Sequence, residues 1–576
     1  MRTKGNSPLF SVVSYGKEIS GFASDVMRHP IISGIGRAMG SLVKRFLYTS
    51  TRAYGYFFET FGIVSLLLHL AKYYFLDNPT VGLETLIISA VLALAGIPLI
   101  LVDKPLCIAL QNFPFTDYLL FEFFSIKRMR GEDNVRAFNP IIGAIAGLIP
   151  AALAFFFPIE NVLLVIAAII ITAVSLVSPE FLFILLIIAI PYAKLLPFRE
   201  ATLAVAALLL LVSFFRKVML GKRVMMVGLT DLFVLLFVLS IIVFGVIGGG
   251  GESTEDSFMI AALALGYFPA ANIIVNRRLA DCSANAFIIA ALPAAVIVFV
   301  DFVISLASGA AAPSGSVMSL PYNLAVFLLA AAALCIYYIS VGKDAVRWIY
   351  FAILIILFAG LFATWCAPVL IILPLSAVSL LLVKHTSLPR EVLLPMCALP
   401  LVIFLLPPTA LYGISTFFGM DTPLGELKGM LTSSINLFTE NLVMGLGADA
   451  TAASDGAQFN MLIGIGCRFG IFAVSTFVLL ILFKLRRVSV YSRYLRYSSL
   501  EALSSFTLIA VFSILALGWF YDVTASVEIY FVIFVILGMN TASLRVSKKE
   551  YDDMMMYFGD NRGFDSSVAD VTIKNK

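Results

Sequence analysis

The chain alternates between long apolar runs and short polar or charged connections. Most of the runs are about 17–25 residues long, and a helix needs about 20 apolar residues to cross a bilayer. The pattern therefore predicts an all-α polytopic transmembrane helix bundle. The predicted spans are 80–102, 141–157, 161–177, 180–196, 201–215, 231–248, 257–275, 284–308, 322–341, 347–364, 367–383, 392–412, 459–483, 500–520 and 526–544.

Two further stretches, 57–75 and 105–125, are apolar but carry several polar residues. The chain before residue 57 is basic, and so is the connection 126–136, so both are expected on the cytoplasmic side. An even number of spans must then separate them. Only one of the two stretches should cross, and the other should lie at the interface. The prediction is about 14–16 spans with both termini cytoplasmic.

Lysine and arginine are concentrated in alternate connections, which the positive-inside rule assigns to the cytoplasm. The acidic connection around 252–256 and the long loop 413–458 fall on the opposite side. The short turn from Lys194 to Arg199 disagrees with this assignment. The predicted segments are a basic cytoplasmic or interfacial lead (1–56), an N-terminal membrane segment (57–140), a core bundle (141–412), an extracytoplasmic loop (413–458), C-terminal spans (459–544) and a disordered cytoplasmic tail (545–576).

The extracytoplasmic loop contains the stretch LKGMLTSSINLFTENLVMGLG, in which apolar residues recur at nearly helical spacing. This spacing predicts an amphipathic helix that lies over the membrane surface and is stopped by Gly445 and Gly447. Such a helix is either a lid on the bundle or one wall of an extracytoplasmic pocket.

Two ionisable residues stand out inside predicted spans, namely Asp301 and Arg468. A charge in hydrocarbon costs a few kcal/mol, so it usually faces protein or water. One interpretation is that these residues pair with each other, or with other polar neighbours, and lock helices together. The other is that one or both line a cavity open to the outside and meet an anionic head group.

Composition and motifs exclude several classes of function. Apolar residues make up 61% of the 576 and the net charge is only +4, which gives no reason to expect a nucleic-acid partner. The six cysteines are scattered without a CxxC pair, and none of the three histidines lies in the extracytoplasmic loop. The sequence contains no Walker, HExxH, GxSxG, GxGxxG or DxD motif. No metal or cofactor is expected, and membrane lipids are the expected partners.

Three stretches carry a resemblance to a known family. NLFTENLVMGLG looks like a run that ends in proline-leucine-x-G-x-G, and QFNMLIGIGCRFGIF looks like an HNxxLxxxxExGxxG segment. Upstream, SPEFLFILLIIAIPYAKLL resembles a middle span of Gram-positive members. With these motifs, residues 141–544 resemble the superfamily of O-antigen ligases and O-antigen polymerases of the bacterial envelope.

The resemblance implies a metal-independent glycosyltransferase in the bacterial cytoplasmic membrane. Such enzymes transfer or polymerise glycans carried on polyprenyl diphosphate at the outer face. Their site resembles a cationic cage, in which arginines hold the diphosphate and the histidine of the HN motif activates the acceptor. Guanidinium groups suit this chemistry because they form paired hydrogen bonds to phosphate.

This chain departs from the family at each of those positions. Trp365 and Cys366 occupy the places of a serine-arginine pair, and the HN motif reads Phe459–Asn460. Lys428 is the nearest cation where a second arginine is expected, and Arg468 replaces a glutamate. The candidate substrate-binding residues are Asp301, Lys428, Asn460 and Arg468, and no catalytic residue is assigned.

Three hypotheses remain open. The first is a ligase or polymerase with a rebuilt cage, and the second is a catalytically degenerate relative that acts as a scaffold or binds lipid-linked glycan. The third is a transporter or flippase, which the scarcity of polar residues in the spans disfavours. Convergence of the four candidate residues on one outer-face cavity would favour the first hypothesis. The sequence identifies neither the glycan nor any protein partner.

Overall fold

The computed structural model describes residues 45–75, 83–124, 139–196, 198–220, 223, 225–249, 251–308, 318, 321–341, 344–364, 424–448, 460–495, 501–519 and 521–559. In these ranges the regular elements are helices, and no β-strand is present. Within the same ranges, eleven helical segments are long and apolar enough to cross a membrane, and one of them, Ser253–Ile273, contains an internal turn. The fold is the all-α polytopic bundle that the apolar runs predict. The predicted spans 367–383 and 392–412 lie outside the described residues.

The longer helices are numbered in chain order. They are α1 (Thr51–Phe75), α2 (Leu83–Leu101), α3 (Leu106–Asn112), α4 (Pro140–Phe156), α5 (Ile159–Val177), α6 (Pro179–Ala189), α7 (Arg199–Met219), α8 (Leu229–Gly248), α9 (Gly251–Ala264), α10 (Tyr267–Ile273), α11 (Arg277–Ser308), α12 (Pro321–Val341), α13 (Asp344–Ala363), α14 (Leu424–Glu440), α15 (Met461–Leu495), α16 (Glu501–Leu517) and α17 (Val527–Gly559).

The two ambiguous stretches behave differently. The first lies within α1, which is one of the eleven candidate spans. The second is divided into α3 and the shorter helical pieces Pro114–Thr116 and Asp117–Phe123. This difference agrees with the parity argument that only one of the two crosses.

The tail prediction is wrong for residues 545–559, because α17 continues without interruption to Gly559. Val546 and Ser547 are still buried beyond the predicted end of the span. Packing against protein therefore extends the helix past the point where the sequence becomes polar.

The chain divides into two compact units, and the smaller one comprises residues 22–182 and 215–223. In this unit α1 packs against α2 and α4. The contacts are close because glycines face them: a Cβ on Gly147 would lie only 2.6 Å from the carbonyl oxygen of Phe57. The Thr60 hydroxyl also donates to the Ala144 carbonyl across this contact, at 3.1 Å. Small residues that let helix backbones approach are typical of packing in membranes.

The larger unit comprises residues 183–214 and the chain from residue 224 onward. Its central element is α17, whose most apolar window is completely buried. The helices α9, α10, α15 and α16 pack against α17, and α8 packs against α15. α12 also packs against α16, and its run of four alanines from Ala330 to Ala333 has no exposed surface.

Two membrane-length segments of the larger unit are interrupted. The single span predicted for 257–275 consists of two helices, α9 and α10, which are separated at Leu265–Gly266. A Cβ on Gly266 would lie 2.6 Å from the Phe531 ring, so the backbone of this turn is in direct contact with α17. The second interruption lies in α15 at Gly470, where φ is +75°. Both irregular points lie next to the polar clusters described below.

Candidate functional site

Asn460 fixes the beginning of α15. Its side-chain oxygen accepts from the Leu462 amide at 3.0 Å, and its side-chain nitrogen donates to the Trp519 carbonyl at 3.2 Å. The Met461 amide also donates to the Gly518 carbonyl at 2.7 Å. Only 4% of Asn460 is exposed. This residue therefore caps α15 and joins it to the end of α16.

Arg468 lies two turns further along α15 and is 1% exposed. Its Nε donates to the Gly464 carbonyl at 3.1 Å, and one terminal nitrogen donates to the Thr524 carbonyl at 2.6 Å. The other terminal nitrogen donates to Asp522 Oδ2 at 2.6 Å and to Thr524 Oγ1 at 2.9 Å. All three guanidinium nitrogens are thus occupied by protein acceptors.

The acid that pairs with Arg468 belongs to a short turn between α16 and α17. Asp522 accepts from the Thr524 amide at 3.1 Å and from the Thr524 hydroxyl at 2.6 Å, which shapes the helical turn Val523–Ala525. Gly464 leaves room for the carboxylate, since a Cβ there would lie 2.5 Å from Asp522 Oδ2. Burial raises the pKa of Asp522, while the Arg468 guanidinium and the Thr524 donors oppose that rise.

The interruption at Gly470 frees backbone groups of α15, and residues 442–447 bind them. The Leu446 amide donates to the Cys467 carbonyl at 2.7 Å, and the Gly447 amide donates to the Arg468 carbonyl at 3.0 Å. In return, the Ile471 amide donates to the Leu442 carbonyl at 2.8 Å. Irregular backbone inside a membrane protein requires such partners, because hydrocarbon supplies none.

The segment 442–447 follows α14, the helix that the sequence predicts within the extracytoplasmic loop. The helix is confirmed over Leu424–Glu440, but it ends before Gly445 and Gly447, which have positive φ angles of +70° and +90° in the segment that follows. The Phe438 ring of α14 rests on Gly466, where a Cβ would lie 2.7 Å from the ring. Cys467 Sγ contacts the Ser434 carbonyl at 3.6 Å. The C-terminal part of α14 is therefore docked on the first half of α15.

Of the four candidate residues, the structure brings Arg468 and Asn460 onto the same segment, 518–524. Asp301 lies near the end of α11, is partly exposed, and is not a partner of Arg468. Pairing with Asp301 was one of the alternatives given for Arg468, and its observed acidic partner is another polar residue, Asp522. Lys428 belongs to α14, and its side chain lies outside the described part of the chain.

A second polar cluster surrounds Lys484, further along α15, and sequence analysis assigned that lysine to a loop. Lys484 is 1% exposed. Its Nζ donates to the Leu537 carbonyl at 2.8 Å, to the Tyr267 hydroxyl at 3.3 Å and, at closer range, to Thr541 Oγ1. It also lies 5.0 Å from the centre of the Tyr267 ring. A buried lysine inside a membrane-length helix is a recognised mark of a functional site.

The Tyr267 hydroxyl connects Lys484 to a carboxylate. It donates to Asp231 Oδ1 at 2.6 Å, and the other oxygen of Asp231 accepts from Arg545 at 3.0 Å and from the Gly228 amide at 2.6 Å. Sequence analysis placed Asp231 at a span end and gave it no function. The structure makes it the acidic centre of a network that joins α8, α10, α15 and α17.

A third cluster lies in the smaller unit, at the beginning of α6. Glu180 Oε2 is 2.5 Å from Lys217 Nζ, and Glu180 Oε1 is 2.9 Å from an Arg223 terminal nitrogen. The Ser178 hydroxyl also donates to Glu180 at 3.2 Å. Burial opposes ionisation, but the two cations outweigh it and lower the pKa of Glu180.

These clusters differ in what they offer chemically. The Arg468 cluster is a closed ion pair with its donors bound, and the Glu180 cluster holds a carboxylate between two cations. The Lys484 cluster is a chain of exchangeable hydrogen bonds that ends on a carboxylate. Within the described residues, no group of three or more His, Cys, Asp or Glu side chains has an arrangement that could hold a metal ion.

Comparison of the chain with protein-family models and with curated proteins finds no match.

Proposed function

We propose that this protein binds polyprenyl-diphosphate-linked glycan at the outer face of a bacterial cytoplasmic membrane and holds it without transferring it. The proposal keeps the sequence resemblance to O-antigen ligases and polymerases, and it assigns the chain to the catalytically degenerate alternative. The observation that carries it is that four of the five N–H donors of the buried Arg468 are bound by Gly464, Asp522 and Thr524.

A phosphate clamp needs guanidinium donors that are free to meet the ligand. For Arg468 to bind a diphosphate, it would have to leave Asp522, which is 4% exposed. An unpaired buried carboxylate would remain, and breaking a buried pair in this way costs about 3–5 kcal/mol. Arg468 therefore supports the fold near the proposed site and does not rebuild the cationic cage.

Lys428 then becomes the residue we assign to the diphosphate. It is carried by α14, whose other end is anchored by Ser434 and Phe438 on α15. The interrupted part of α15 is in turn bonded to the residues that follow α14. This arrangement gives the helix a fixed base, and we assign its N-terminal part, which carries Lys428, to the contact with the lipid-linked glycan.

The test uses the full chain in lipid nanodiscs with a polyprenyl-diphosphate-linked oligosaccharide as donor. We expect saturable donor binding and no glycan transfer to an acceptor. Lys428→Ala should weaken binding about tenfold, equivalent to about 1.4 kcal/mol. The matched control is Lys549→Ala, which removes the same charge from an exposed position on α17. Formation of transferred glycan would overturn the non-catalytic proposal, and absence of donor binding would overturn the assignment of the ligand.

A transporter or flippase is the second candidate, and the interrupted helices favour it. Transporters often place substrate or ion sites where membrane helices are discontinuous. Here the breaks lie at Gly470 and at Leu265–Gly266. In proteoliposomes that contain labelled lipid-linked glycan, a flippase would move the label between leaflets faster than empty liposomes do. Equal rates would exclude this activity for that substrate.

A further inference from the structure

Lys484 combines deep burial with the absence of a direct acidic partner. Among the described residues no carboxylate oxygen lies within ion-pair distance of its Nζ. The contacts of Nζ are instead the neutral oxygens of Leu537, Tyr267 and Thr541. A charged amine in this position is held by hydrogen bonds alone. The compensating charge is on Asp231, and the Tyr267 side chain lies between the two.

The charged groups that face this site come from every helix packed around it. Asp231 is contributed by α8 and Arg545 by α17, while α10 contributes the Tyr267 hydroxyl and α15 itself contributes Arg487. With Lys484 protonated, Lys484 and Arg545 are two cations in a hydrogen-bonded network that contains the single carboxylate of Asp231. Burying excess charge in a bundle is unfavourable unless it is compensated.

Only one of these cations can readily remove the excess. A guanidinium does not lose its proton in proteins, so Arg487 and Arg545 stay charged. Lysine loses its proton much more easily when it is buried. Lys484 is therefore the group of this network that can lose a proton and so lower the buried positive charge.

We propose that Lys484 is a proton-binding site that exchanges its proton through Tyr267 with Asp231. The proton leaves Nζ for the Tyr267 oxygen while the tyrosine's own proton passes to Asp231 Oδ1. The lysine and the carboxylate both become neutral, one proton has moved, and no electron is transferred. Asp231 then passes the proton to water beside Arg545, whose side chain is 14% exposed.

Proton exchange at this position is coupled to helix packing. Tyr267 is the first residue of α10, directly after the interruption at Leu265–Gly266. Loss of the proton removes one donor from Lys484 and weakens the bonds that hold α10 and α17 to α15. The site therefore acts as a charge-dependent contact between α8, α10, α15 and α17. It does not depend on glycan binding at the other end of α15.

The direct test is a titration of the full chain in nanodiscs with ¹³Cε-labelled lysine, followed by NMR. Lys484→Met identifies the Lys484 signal by its loss, and Lys549→Met does the same for an exposed lysine. We expect the Lys484 signal to shift over the pH range up to that in which the exposed Lys549 signal shifts, and Tyr267→Phe to displace its midpoint. A Lys484 signal that stays constant over this range would overturn the proposal.

A second measurement covers the case in which a variant fails to fold. Hydrogen exchange of the wild-type protein should change over the same pH range in residues 225–231 and 262–273, after correction for the intrinsic pH dependence of exchange. Lys484→Arg, which keeps a charge that does not titrate, should remove this change. A Lys484→Arg profile identical to that of the wild type would show that Lys484 is only a structural cation.

Discussion

Removal of the Asp522 carboxylate should destabilise the larger unit severely. The Asp522→Ala substitution removes the 2.6 Å bond from Arg468 and both bonds from Thr524, and it leaves a guanidinium with 2% side-chain exposure without its counter-charge. Loss of one partner from a buried ion pair costs about 3–5 kcal/mol. We expect a cost near the upper end, because the turn Val523–Ala525 loses its cap together with the ion pair.

The assay is reversible unfolding in detergent micelles, compared with Glu255→Ala, which removes an exposed carboxylate from α9 in the same unit. The control should change the free energy of unfolding by less than about 0.5 kcal/mol. The double variant Arg468→Met/Asp522→Leu should recover most of the loss, since apolar replacement of a buried pair is often neutral. If Asp522→Ala is as stable as Glu255→Ala, the ion pair does not support the fold as argued here.

Three further perturbations follow from the packing and the charges. Gly147→Leu should lower the free energy of unfolding of the smaller unit by at least about 2 kcal/mol, because the new side chain would overlap Phe57. Thermal unfolding measures this loss, and Ile145→Leu, a substitution at an exposed position of α4, is the control. The pKa of Glu180 is lowered in the folded protein, so its contribution to stability is complete above about pH 4.3 and is lost as the pH falls through the lower folded-state value. Thermal unfolding between about pH 3 and about pH 7 should show this loss, and Glu180→Gln should reduce it. Gly470→Ala should lose about 1–3 kcal/mol because φ is +75° there, and wild-type stability of this variant in chemical unfolding would contradict a strained helix break.

The apolar runs were sufficient to predict the fold class and the position of most helices. In a membrane protein, a run of about 20 apolar residues has few alternatives to a membrane-spanning helix. The helices α2, α8 and α12 accordingly begin and end within a few residues of their predicted bounds. The interruptions were not predictable in the same way. The sequence does not distinguish Gly266 and Gly470 from the other glycines. The break at Gly266 depends on contact with Phe531, and the break at Gly470 depends on hydrogen bonds with residues 442–447; both partners are distant in the sequence.

The candidate site was predicted only in part. Arg468 and Asn460 were recognised because polar residues inside an apolar run are conspicuous. Asp522 was missed because it lies between two predicted spans, where a carboxylate costs little free energy. Lys484 was missed because it follows the apolar run, although α15 continues to Leu495. The sequence DVT at residues 522–524, a common capping pattern, was the available signal for the first of these.

The burial of α17 has a consequence for the biogenesis of this protein. This helix is synthesised after the helices α9, α10, α15 and α16 that pack against it, and the most apolar window of its Val527–Glu550 portion is completely buried. The helices synthesised earlier must therefore remain apart, or have lipid between them, until α17 packs among them. The arrangement of these helices is thus reached only after α17 has been synthesised, and termination before α17 would leave them without their common packing partner.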